Sequence, residues 1–222
     1  MKKIGFLLVI IINIIFIYKI TLDDKIYFLA LGDYIAMGVT NNNRINGGYN
    51  FYIKDYLKEV NKLEIYNDSF IDRNSRTTDL INSINNNYEM IFNDKNITIQ
   101  NALIKADLIT LSIGNNDLFY ELKNTNTLES VDSILKDVDS LLKLIKKSTK
   151  ETVIVNSFYY PVDNSLVSYA NKKLEELCYK YNFIYNDISY YSDSIYPTSD
   201  IYKKIGNDIL EKIVINMVNK EF

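Results

Sequence analysis

The chain has 222 residues, 25 Lys+Arg against 28 Asp+Glu, one Cys and no His. That length suits one α/β domain with a full core, and a net charge of −3 supplies no basic field for nucleic acid. A single cysteine excludes a disulfide framework or a thiolate zinc cluster. Without histidine no Ser-His-Asp or Cys-His machinery and no imidazole metal site can form, so no metal or cofactor is expected.

The first element is an apolar run from Ile4 to Tyr18, preceded by Lys2 and Lys3, interrupted only by Asn13 and closed by Lys19. A basic start followed by such a run is a secretory or anchoring signal. No small-x-small cleavage site follows in Tyr18–Asp23, and no cysteine there takes a lipid. Its fifteen residues rise about 22 Å as a helix, short of a hydrocarbon core of about 30 Å, which snorkelling lysines and Ile20 extend. Residues 1–24 are therefore read as an uncleaved signal-anchor, with the single-pass chain placing residues 25–222 outside the cytoplasmic membrane. Cleavage at an atypical site, leaving a secreted chain, and a buried N-terminal helix are the alternatives.

The rest alternates compact apolar runs with amphipathic ones. Strands are expected at Ile26–Leu31, Leu63–Tyr66, Ala106–Ile113, Thr152–Val155 and Phe183–Ile188, and helices at Tyr49–Leu63, Thr77–Ile84, Leu128–Ile145, Ser165–Tyr181 and Ser199–Val218. Apolar, unalternating strands separated by helices imply a three-layer α/β/α sandwich around a parallel, flavodoxin-like sheet. No repeat or second domain interrupts it. The ligand crevice of such a sheet lies beyond the strands' carboxyl ends. The polar turns fall there: Gly32-Asp33-Tyr34, Asn74-Ser75-Arg76, Gly114-Asn115-Asn116-Asp117 and Asp193-Ser194-Ile195-Tyr196-Pro197.

Over about residues 25–220 these turns resemble the blocks of the SGNH/GDSL hydrolases, extracytoplasmic esterases and lysophospholipases. Leu31-Gly32-Asp33-Tyr34-Ile35-Ala36-Met37-Gly38 is similar to the first block, L-G-D-S-[LI]-x-x-G. Arg73–Leu80 is similar to the second, and Gly114-Asn115-Asn116-Asp117 matches the third, G-x-N-D. Asp193–Pro197, with Tyr202 in the next turn, is similar to the last, D-x-x-H-P followed by G-Y. The resemblance implies a Ser nucleophile, a His base, an Asp orienting it, and an oxyanion hole formed by a second-block backbone N–H and the third-block Asn.

Here Tyr34 stands at the Ser position and Tyr196 at the His position. Asp193 keeps the Asp position, Asn116 the oxyanion Asn, and Asn74 (or Ser75, if the alignment slips by one) replaces the second-block Gly. A phenol is almost wholly protonated at neutral pH, and its oxygen lies too far from Cα to copy a serine's attack geometry. Tyr34 is therefore expected to fill the nucleophile pocket, and Tyr196 to pack there and bond Asp193. Compositional bias toward Ile, Asn, Lys and Tyr explains many of the 19 tyrosines, but not by itself the loss of both partners in one proton transfer.

Two readings follow. The first is a membrane-anchored, catalytically degenerate SGNH-like domain that binds an envelope ligand (lipid, glycan or peptidoglycan) or a protein partner. The second is an active ester hydrolase working through Asp193-activated water or tyrosine chemistry, with Asn116 and Gly114 at the oxyanion.

Overall fold

The structure, a computed structural model, describes residues 25–220 except 43, 44, 46, 162, 163 and 193, with only the backbone of 216–220. The expected N-terminal anchor and Asp193 lie outside the described residues.

In chain order the elements are β1 (Ile26–Gly32), α1 (Tyr34–Met37), α2 (Gly48–Glu59), β2 (Leu63–Asn67), α3 (Thr77–Asn85), β3 (Glu89–Phe92), β4 (Lys95–Thr98), α4 (Ile99–Lys105) and β5 (Leu108–Ser112). They continue with α5 (Asn115–Asn124), α6 (Leu128–Ser148), β6 (Thr152–Asn156), α7 (Ser165–Tyr181), β7 (Ile184–Asn186), a 3₁₀ turn (Ser189–Tyr191) and α8 (Ser199–Lys220). Strands β2-β1-β5-β6-β7 form one parallel sheet. Helices α2 and α8 pack together, and α6 packs with α3, α4 and α7.

The strands lack polar alternation because both faces are buried. Leu29 and Leu31 of β1, Ile109 and Leu111 of β5, and Val153 and Val155 of β6 enter one core with α6. Phe28 and Ala30, Leu108 and Ile154 enter the other with α2 and α8. This two-sided burial, following the period of two along a strand, produces the three-layer sandwich read from the sequence. Helix α6 buries Val131, Ile134, Leu135, Val138, Leu141, Leu142 and Ile145, a 3.6-residue stripe.

Several boundaries differ from the sequence reading. The helix expected over Tyr49–Leu63 stops at Glu59, because Asn61 takes a left-handed conformation (φ 58°) and turns the chain into β2. The strand expected over Ala106–Ile113 is shorter, since Ala106 caps α4. The antiparallel hairpin β3–β4 and the helix α4 that it leads into were not anticipated.

β1 is central, with β2 on one side and β5 on the other. Successive connections thus depart in opposite directions from β1, and the crevice beyond the ends of β1 and β5 is the switch point where such sheets take ligands.

Candidate functional site

The ends of β1 and β5 are in register, with Gly32 opposite Ser112. Gly32 has φ +136°, and a Cβ on it would sit 1.9 Å from the Ser112 carbonyl oxygen, so only glycine permits this approach. The Asp33 N–H then donates to that same oxygen at 2.8 Å.

Asp33 is fully buried. Its Oδ1 accepts from Ile35 N–H at 3.0 Å, capping α1, while Oδ2 accepts from the backbone N–H and side-chain Nδ2 of Asn115 at 3.1 and 3.0 Å. Asn115 Oδ1 in turn accepts from Tyr159 N–H at 2.8 Å. One carboxyl thus ties together the segments following β1, β5 and β6. Burial pushes its pKa up to about 7, against the pull of the three N–H bonds. These bonds give Asp33 a structural role, which the Asn115 link to Tyr159 extends to the segment after β6.

Tyr34 opens α1 and turns its ring inward, to 7% exposure, in the core shared with α2 and α8. Tyr196 packs against the same core. Their rings meet edge to face, with centroids 5.4 Å apart and planes at 79°, a favoured aromatic geometry. Burial, then the charge of Asp33, holds the Tyr34 phenol well above its ordinary pKa. A phenol so placed stays protonated at neutral pH and is a poor nucleophile. The Tyr202 hydroxyl of α8 donates to the Val39 carbonyl at 2.9 Å, fixing the segment after α1 against α8.

Gly114, at φ +91°, opens α5; a Cβ there would lie 2.7 Å from Phe158 Cε1. Asn116, half-buried in the first turn of α5, donates both amide hydrogens to backbone carbonyls, Arg73 O at 3.0 Å and Ser75 O at 2.9 Å. The exposed Asn74 donates its N–H to Asp72 Oδ1 at 2.8 Å, and Ser75 N–H goes to Asp72 O at 3.0 Å. Asp117 Oδ2 accepts from the N–H and hydroxyl of Thr77, both at 2.9 Å. Its pKa is raised by burial, which outweighs the Thr77 bonds and nearby Arg76. Arg76 stacks its guanidinium 4.5 Å from the centre of the Tyr120 ring.

Tyr34 and Tyr196 therefore meet, and Asn116 meets the loop carrying Asn74. Two donors expected of an oxyanion hole, the side-chain amide of Asn116 and the backbone N–H of Asn74, are engaged on internal acceptors. Beside that loop runs a groove of about 460 Å³, lined in part by Met37, Phe70, Arg73, Asn74, Tyr88 and Met90. The hairpin β3–β4 that contributes Met90 is the part of this wall the sequence reading missed. A larger cavity of about 760 Å³ lies beyond β7, between Lys172 and Lys212, and includes none of the expected site residues. Among the described residues no cluster of His, Cys, Asp or Glu is arranged to hold a metal ion.

No protein-family model and no curated protein sequence matches the chain. Solved structures do. A lipase, Lip_vut3, from a goat rumen metagenome superposes with a TM-score of 0.66 at 17% identity, covering 84% of this chain and 97% of its own. Axe2, an acetylxylan esterase from Geobacillus stearothermophilus, gives 0.65 at 14% identity over 86% of this chain and 94% of its own. A lipase/acylhydrolase from Enterococcus faecalis gives 0.60 at 14% identity over 84% and 94%. The chain has the fold of these lipases and acetylxylan esterases, and at such identities the likeness is one of fold.

Proposed function

We propose that the chain is a catalytically degenerate SGNH/GDSL-like domain, held at the outer face of the membrane by residues 1–24, that binds an envelope ligand or partner without cleaving it. The observation that carries this reading is the Tyr34–Tyr196 ring pair. It occupies the two positions where the resembled family keeps its nucleophile and base, inside a fold shared with lipases and acetylxylan esterases. Internal bonding of Asn116 and Asn74 supports it, since a hydrolase needs such donors aimed at the developing oxyanion. The lysines and apolar run before Lys19 support the anchor.

The test is binding without turnover. The full chain is titrated with lysophospholipid, O-acetylated glycan and peptidoglycan fragments while released acid is monitored. One class is expected to bind saturably with no acid released. Tyr196→Ala is expected to weaken it about tenfold, the scale of one well-packed aromatic contact. Acid release abolished by Asp193→Asn would instead establish the Asp193-water hydrolase, and failure of all three classes to bind would sink the ligand reading.

A further inference from the structure

Every strand of the sheet runs the same way, so the domain has two unlike ends. The crevice lies where strands finish. The opposite end carries Lys25, the residue before β1, and the last turns of helices α2, α4, α6 and α7. At this strand-start end Lys25 and Lys105 share a cleft with Asp107, Phe92 and Ile97, which brings the tip of the β3–β4 hairpin alongside.

Three observations there have no role in the crevice. First, Lys25, Lys58, Lys95, Lys105, Lys147 and Lys150 are exposed. With Lys62 and Lys146 they make eight lysines against seven carboxylates (Asp23 and Asp24, which precede Lys25 in the chain, with Glu59, Glu64, Asp94, Asp107 and Glu151), Lys180 being cancelled by Asp139. That balance of +1 sits on a chain whose total is −3, so the excess negative charge lies elsewhere, while the lysines concentrate at this end. Second, exposed apolar side chains stand among these lysines: Ile104 at 65%, Tyr179 at 89% and Val60 at 39%, each in the last turn or cap of its helix. Third, only residues 19–24 separate Lys25 from the apolar run ending at Tyr18. Six residues span at most about 20 Å.

We propose that this strand-start end seats on an anionic bilayer surface, lysines toward the headgroups and Ile104 and Tyr179 at the interface, with the crevice turned away. The proposal rests on the anchor reading above and adds to it an orientation. If the run to Tyr18 lies in the bilayer, the short tether leaves only this end within reach of the lipid. A basic face beside an anionic leaflet gains energy from each lysine and loses it beyond a Debye length. Seven residues of β1 rise about 23 Å, so the crevice opens roughly that far out, accessible to ligands in the envelope rather than to the supporting lipid.

The test uses the full chain with vesicles of pure phosphatidylcholine or of phosphatidylcholine and phosphatidylglycerol, read by flotation and amide hydrogen exchange. Flotation with both is expected. Exchange in segments 93–95, 104–107, 147–151 and 179–182 is expected to slow only on the anionic vesicles and to recover in high salt. The variant Lys105→Glu/Lys147→Glu/Lys150→Glu should still float but lose that protection, its docking weakened on the order of a hundredfold. Flotation without protection at this end overturns the docking and leaves the anchor standing. Failure to float overturns the anchor and the docking with it. Protection that appears without vesicles and grows with protein concentration assigns the face to a second copy and overturns the proposal.

Discussion

Asp33 shows how one buried side chain organises the crevice. It accepts three N–H bonds from Ile35 and Asn115, so an amide in its place turns one acceptor into a donor facing donors. Asp33→Asn is expected to cost about 1–3 kcal/mol, measured by denaturant unfolding. Burial raises this carboxyl from 3.8 to about 7, so between those values the folded chain holds a proton that the unfolded chain has released. The contribution is therefore fully present below about pH 4 and is lost as pH rises toward 7. The wild-type advantage over Asp33→Asn is expected to narrow across that window; an advantage that widens would mean the three bonds outweigh burial. That Tyr34 and Tyr196 belong to one neighbourhood was legible from their places in the turns, and their rings do meet. The engagement of Asn116 and Asn74 was not, because a loop's internal hydrogen bonds depend on backbone geometry that residue types do not fix.

At the level of elements, strongly apolar strands and long amphipathic helices were readable because burial on both faces of a parallel sheet leaves a plain pattern. The hairpin β3–β4 escaped because its Met90-Ile91-Phe92 run is short, although Asn93-Asp94, both left-handed at φ 49° and 60°, carried the signal of a tight hairpin turn. Asparagine at such positions gives its abundance a structural reading alongside the compositional bias. With only seven glycines in the chain, Asn61, Asn87, Asn126 and Asn182 take left-handed conformations at or near helix ends. Asn182 is the C-cap of α7, at φ 56°. Asn182→Gly is expected to gain up to about 1 kcal/mol and Asn182→Ala to lose about as much. Thermal unfolding of the pair checks this, and equal midpoints would show that the cap conformation carries no strain.

For the whole molecule, a fold shared with lipases and acetylxylan esterases brings the rings of Tyr34 and Tyr196 together near the carboxyl ends of the strands. Sheet order and the register of Gly32 with Ser112 put the turns after β1 and β5 at the switch point, as the strand-end placement of those turns implied. The rest of the chemistry, including Asp193, is tested by turnover. The most direct measurement is hydrolysis of a short-chain aryl ester by the full chain, beside Asp193→Asn and the double variant Tyr34→Ser/Tyr196→His. No turnover above buffer is expected from the unmodified chain. The double variant is expected to remain weak, since the absence of even one oxyanion donor costs about 10²–10³ in rate and those of Asn116 and Asn74 are already bonded. Turnover by the unmodified chain that disappears in Asp193→Asn would contradict the account.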